Sequence, residues 1–381
     1  MSDPTQDGGS APQGQAQAVN PPASQDYPSS TTPAFVAPSD LLRPRSRRRP
    51  NSRGTNEFTQ ADFDQAHALR QVRSFLKIRR SFDVLPLSYR LIVLDSALLV
   101  KKSLNILQQN AIVSAPLWDS KTSTFAGLLT TSDYLNIIQY YLQYPDQYQA
   151  VDHFRLSSLR EVEKAIGVQP IETISITPMK PLYEACRKML ETRARRIPLV
   201  DVDDETEREM VVSVITQYRI LKFIAVNVKE LDMMRKPLRD IGLGTYSNLA
   251  TAKMDTTVLD VIHLLVKKNI SSVPIISDDG VVINVFEAVD VIALFKDIKS
   301  SKDYEEQLQV SVGDALLKRA DEFPGIYTCT LNDRLENIFE TIRKSRVHRF
   351  VVLDEKSHLQ GIVTLSDILE YLLLEGVEGE T

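Results

Sequence analysis

The chain has 381 residues, 43% of them hydrophobic, with 45 Lys and Arg set against 50 Asp and Glu. Such a length supports more than one hydrophobic core, and a net charge of −5 demands neither nucleic acid nor an anionic membrane as a partner. The two cysteines, Cys186 and Cys329, lie far apart with no CxxC and no nearby His pair, which argues against a disulfide framework and a structural zinc site; no apolar run approaches the ~20 residues that span a bilayer, so a soluble intracellular protein is expected.

Residues 1–66 are rich in Pro, Gln, Ser and Ala and poor in large apolar side chains, and so are expected to be a disordered tail. Within it "RPRSRRRPNSR", residues 43–53, carries six arginines and no acid. It reads either as a solvated basic stretch or as a nuclear-import signal or anion-binding arm. The second reading places the protein in both nucleus and cytoplasm.

From about residue 75 the composition turns globular and the chain repeats itself. The phrases "LLTTSD", "VITQYR", "VFEAVD" and "IVTLSD" end at Asp133, Arg219, Asp290 and Asp367, roughly 70–90 residues apart. Upstream of each lies a short buried-strand pattern: "SAPLWD", "RIPLVD", "SVPIIS" and "RFVVLD". Before each strand the stretches "SLNILQQN", "LYEACRKMLETR", "VLDVIHLLVKKN" and "LENIFETIRKSR" place apolar residues at i, i+3, i+4 and i+7, a helical period. One unit therefore reads strand, helix, strand, turn, strand, helix. The fold class is α/β, four α+β repeats at 80–145, 165–228, 244–298 and 316–376, packed two by two because a lone unit leaves a sheet face uncovered.

Each repeat ends in the same strand-to-helix corner. Taken alone, Thr364-x-x-Asp367 is a capping box, the hydroxyl accepting from first-turn amides and the acid favoured by the helix dipole. The same exposed amides can receive a phosphate, and the carboxylate can accept from the two hydroxyls of a ribose. The copies differ: Arg219 replaces the acid in the second, and Glu287 replaces the cap in the third, where its charge repels a phosphate. "RARRIP" brings Arg195 and Arg196, and "RVHRF" brings Arg346, His348 and Arg349, one strand before the second and fourth corners; the matching "AIVSAP" and "NISSVP" are neutral, so no cation is expected beside Asp133. Catalysis finds no support, there being no GxSxG, P-loop, HExxH or Gly-rich dinucleotide fingerprint. The five histidines lack metal-ligand spacing, and His263 is expected in a core or at an interface.

With these units, and with "VLPLSYRLIVLDSALLVKKSL", "SAPLWDSKT", "GTYSNLA" and "TLSDIL", residues 75–376 resemble the gamma regulatory subunits of the AMP-activated and fungal sucrose-non-fermenting kinases, built from four CBS modules paired into two Bateman domains. The resemblance implies a non-catalytic subunit that senses adenine nucleotides (AMP, ADP or ATP) beside a catalytic alpha and a scaffolding beta subunit. It implies a first site of Thr364, Leu365, Ser366 and Asp367, with Arg346 and His348 for phosphates and Thr245, Ala250, Ser271 and Ser272 on the adenine side. It implies a second site from Arg195, Thr216, Gln217, Tyr218, Arg219 and Leu87. Animal members carry an arginine where this chain has Val113 and a serine where it has Glu287, which counts against the first and third corners. The competing reading is a free-standing CBS-type sensor acting on a transporter or a metabolic enzyme.

Overall fold

The computed structural model describes residues 58–144, 153–168, 173–294, 301–319, 323 and 325–376. The arginine segment 43–53, and the disorder expected for residues before 58, lie outside them. The expected tail is corrected at its end, because a helix spans Gln60–Ile78 and so begins within 1–66. Thr59 caps it in a capping box with Asp62, and Lys236 pairs with the same carboxylate. Its buried face, Ala68, Leu69, Val72 and Leu76, recurs at helical spacing and packs into the core. Gln65 donates to Tyr371 Oη at 3.0 Å and Arg73 to the Glu375 carbonyl at 2.9 Å, so the helix docks on the last helix of the chain, Leu365–Leu374. Four polar residues and two alanines among the first seven positions of this helix hid it from a composition-based boundary.

The four repeats follow. The first has strand Leu94–Asp95, helix Val100–Gln109, hairpin Ser114–Asp119 with Thr124–Thr130, and corner helix Thr131–Gln143. The second has helix Leu182–Glu191, hairpin Arg196–Val202 with Glu209–Thr216, and corner helix Gln217–Asn227. In the third come helix Val258–Lys268, hairpin Ser272–Ile276 with Val282–Glu287, and helix Ala288–Leu294. The fourth has strand Thr328–Cys329, helix Leu335–Lys344, hairpin Arg349–Leu353 with Leu359–Thr364, and helix Leu365–Leu374. Each opening strand runs parallel to its hairpin, but in the second and third repeats it shrinks to a single bridge, Ile176 to Leu199 and Ala252 to Ile275. All four hairpins carry an irregularity in register, between Leu117 and Trp118, Leu199 and Val200, Ile275 and Ile276, and Leu359 and Gly361. Such bulges bend and twist a strand, and a bulge repeated four times re-aims each hairpin the same way toward its corner.

The two-by-two packing uses two kinds of surface. Sheets join neighbours in sequence. Phe125 N–H of the first repeat donates to Glu209 Oε2 of the second at 2.6 Å, and Thr245 exchanges backbone hydrogen bonds with Ile362, tying the segment entering the third repeat to the fourth. Helices join alternate repeats. The largest core unites the second and fourth through Leu221, Ile224, Phe339, Ile342 and Ile368, while a second core sets Leu135 and Ile138 of the first repeat among Val261, Ile262 and Leu265 of the third. The amphipathic helices hold the broad apolar faces, so they carry the association across the molecule. His263 is exposed and so lies outside the core, one of its two expected places, because the buried residues of its helix are Val258, Val261, Ile262 and Leu265. Both cysteines are buried and free.

Candidate functional site

The hairpin register decides what stands at each corner. The residue paired across the hairpin with the helix cap is Ser114 opposite Thr130, Arg196 opposite Thr216, Ser272 opposite Glu287, and Arg349 opposite Thr364. Pairing on one face of a ladder brings side chains within contact, so Arg196 and Arg349 are delivered beside their caps and the first and third corners receive serines instead. At the fourth corner Thr364 donates its N–H and its hydroxyl to the same oxygen, Asp367 Oδ2, at 2.8 and 2.7 Å, and Asp367 N–H returns a bond to Thr364 Oγ1 at 3.2 Å. Among the described residues no donor takes Oδ1. At the second corner Thr216 accepts from Arg219 N–H at 3.2 Å, and the Arg219 guanidinium turns back to the Val214 carbonyl, also at 3.2 Å. Ser366 donates to Gln217 Oε1 at 3.0 Å, so the second and fourth corners touch.

Between those two corners gathers the positive charge. Burial first, then Arg195 and Arg346, pushes the Arg196 guanidinium down to about 10. Arg195 is lowered by burial and by Arg349, and Arg219 by burial and by Arg346. His348 is pushed down to about 4, first by loss of water and then by Arg349, Arg346, Arg196 and Arg195. His348 and Arg195 keep solvent-facing surface, yet the cationic walls around them oppose a further charge. Four of these five arginines, Arg195, Arg196, Arg219 and Arg346, have no acidic partner among the described residues, and such crowding becomes favourable once a polyanion enters. The fifth, Arg349, pairs with Glu287 of the third repeat and also donates to Ser271 Oγ at 3.2 Å.

The first corner differs from expectation. Asp133 repeats the capping box, with Thr130 N–H and Oγ1 at 2.6 and 2.8 Å, but it is buried and pushed up to about 6, chiefly by desolvation and further by Glu163. A cation does accompany it. Arg160, from the helix Leu159–Ala165 between the first two repeats, acts on Asp133 and pairs with Glu163 at 2.9 Å. Only the fold brings this residue to the corner, 27 positions downstream of the acid, where no local pattern announces it. A cavity of about 200 Å³ opens there, lined by Ser96, Asp119, Asp133, Ser157 and Arg160. A larger groove of about 410 Å³ lies elsewhere, along Asp232, Glu336, Glu340 and Arg343; Glu336 is already paired with Arg235 and Arg334, and Glu340 with Lys344.

Of the residues expected at the first site, Thr364, Leu365, Ser366 and Asp367 form the fourth corner, and Thr245 lies on the adjoining strand through Ile362. Ser271 and the buried Ser272 face that corner from the third repeat through Arg349 and Glu287, and Ala250 packs against the core of the third repeat. Of the second set, Arg195, Thr216 and Arg219 meet at the basic cluster. Gln217 is buried, spanning the Ala194 carbonyl and Ser366, and Tyr218 lies against the large core. Leu87 is fully exposed; Tyr89, two residues on, is the side chain that reaches the second repeat, donating to the Val212 carbonyl at 3.0 Å. Arg160, Tyr89 and the pairing of Glu287 with Arg349 were missed by the sequence reading.

Comparison with known proteins bears on this geometry. The CBS domain family matches residues 168–226, 228–297 and 322–374. The 5'-AMP-activated protein kinase subunit gamma of Kluyveromyces lactis is 54% identical over 313 residues, 82% of this chain and 94% of that one. That of Saccharomyces cerevisiae is also 54% identical, over 82% of this chain and 95% of its own. The chain belongs to the 5'-AMP-activated protein kinase gamma-subunit family. The bovine gamma-3 subunit is more distant, 30% identical over 79% of this chain and 59% of its own length. A solved structure from Methanocaldococcus jannaschii, offered as an archaeal homologue of g-AMPK, superposes with a TM-score of 0.58 over 77% of this chain and 99% of that one at 17% identity, a likeness of fold.

Proposed function

We propose that the chain is the non-catalytic regulatory subunit of a heterotrimeric Ser/Thr kinase, with a catalytic alpha and a scaffolding beta partner, and that it reads adenine nucleotides at the junction of its second and fourth repeats. The observation that carries the reading is the convergence of Arg195, Arg196, Arg219, Arg346 and Arg349 beside a carboxylate, Asp367, whose Oδ1 is open to a donor. Ribose hydroxyls donate to Asp367; phosphates take the guanidiniums; neutral His348 donates one N–H without adding to the repulsion. On this reading nucleotide occupancy acts upstream of kinase activity in the response to energy or glucose limitation. To test it, the chain is purified from its own cells and the complex titrated with AMP, ADP and ATP by calorimetry. Co-purifying kinase and scaffold subunits and saturable nucleotide binding are expected. Recovery without a kinase, or a complex that binds none of the three nucleotides, would refute the proposal.

A further inference from the structure

The third corner differs from the first and fourth in what already occupies its carboxylate. Asp133 and Asp367 each receive the cap residue's N–H and hydroxyl on Oδ2, and among the described residues nothing donates to Oδ1. At Asp290 the cap residue is Glu287, whose N–H donates to Oδ2 at 2.7 Å. Arg319 fills the rest, its Nε donating to Oδ1 at 2.8 Å and its Nη2 to Oδ2. Its remaining donors reach Asn284 Oδ1 at 3.1 Å and the Val285 carbonyl at 2.7 Å. The guanidinium carbon stands 3.9 Å from the centre of the Phe323 ring. Both charged side chains are almost completely enclosed, 11% and 9% exposed.

Building on the nucleotide reading above, we infer that Arg319 and Phe323 form a built-in occupant of the third corner, so that this corner takes an adenine nucleotide only when Arg319 is withdrawn. The guanidinium makes on Asp290 the two-pronged contact that a ribose diol would make, and a flat ring lies beside it as a base would. A buried ion pair is weak evidence for stabilisation, since well-packed apolar side chains of the same volume hold a fold as well. The corner's second feature agrees independently: Glu287 sets an acid where a phosphate would enter, and it holds Arg349 for itself. The carboxylate seat is thus filled from within the chain, and Glu287 weakens the corner for a phosphate without filling it. Arg319 lies two residues past the end of helix Val312–Leu317, outside the hairpin and corner helix of the third repeat.

Counting sites decides the matter. The complete chain in its kinase complex is titrated with AMP by calorimetry, as wild type, R319Q, D290N, R319Q/D290N and D367N, each checked for a cooperative melt. R319Q is expected to bind one more equivalent of AMP than wild type, and the double variant to lose that extra equivalent. D290N alone is expected to keep the wild-type count, because its corner is already filled. A folded R319Q with the wild-type count, or a D290N that loses a site, overturns the inference; should R319Q fail to fold, D290N still decides. D367N tests the parent reading separately: binding unchanged there sinks the nucleotide assignment at the fourth corner, while a gain in R319Q would still establish the closed third one.

Discussion

Replacing Asp367 by Ala strikes the fourth corner at the one atom the fold leaves open. In the folded chain Asp367 Oδ2 is committed to Thr364 N–H and Oγ1, so the ligand's share is Oδ1. A hydrogen bond to a charged acceptor contributes roughly 1.5–3 kcal/mol, and with 1.4 kcal/mol per factor of ten a single lost bond weakens binding about 10- to 100-fold. The same substitution strips two bonds from the cap, an effect on stability of about 1 kcal/mol, since Thr364 still caps the helix through its own hydroxyl. Affinity and stability therefore separate: a large change in AMP affinity by calorimetry, a small change in denaturant midpoint. Asp133→Ala is expected to change affinity far less, because Asp133 sits apart from the arginine cluster and is matched by one cation, Arg160. Equal losses for the two variants, or no loss at Asp367, would show that the repeated corner acts here only as a helix cap.

Glu287→Gln frees Arg349 from its acidic partner and is expected to tighten nucleotide binding several-fold, with a steeper fall in affinity as salt is raised; unchanged affinity in the same titration would mean that Arg349 does not face the ligand. The Asp133 carboxyl, raised to about 6 from an ordinary 3.8, makes the fold most stable while it is protonated, so its contribution is complete below about pH 4 and lost as pH climbs through 6. The stability of wild type relative to Asp133→Asn should fall by about 2–3 kcal/mol between pH 4 and pH 7 in urea titrations, and a pH-independent difference would refute the burial argument. Leu76→Ala, on the helix that docks across the second and fourth repeats, should cost about 2–5 kcal/mol of unfolding free energy, whereas an unpacked helix would lose almost nothing. Deleting residues 43–53 should shift a fluorescently tagged chain from nucleus to cytoplasm if the arginines form an import signal, and unchanged nuclear accumulation would leave them as solvated charge.

The repeats were legible in the sequence because each is a local unit. Apolar spacing in "LENIFETIRKSR" and β-branched density in "RFVVLD" depend only on residues a few positions apart, and they correspond to the helix Leu335–Lys344 and the strand Arg349–Leu353. The first and fourth corners were legible for the same reason, a cap and an acid three residues apart needing no distant partner. The start of the globular region was misread because the helix Gln60–Ile78 buries only a narrow apolar stripe, and its reason to exist, Tyr371 and the core beneath it, lies some three hundred residues away. Tertiary structure alone set Arg160 beside Asp133, closed Asp290 with Arg319, and paired Glu287 with Arg349. It also joined alternate repeats through their helices while neighbouring ones met by their sheets. These contacts are long in sequence and short in space, and an ion pair leaves no periodic trace along the chain: its energy depends on a distance that only the folded backbone fixes.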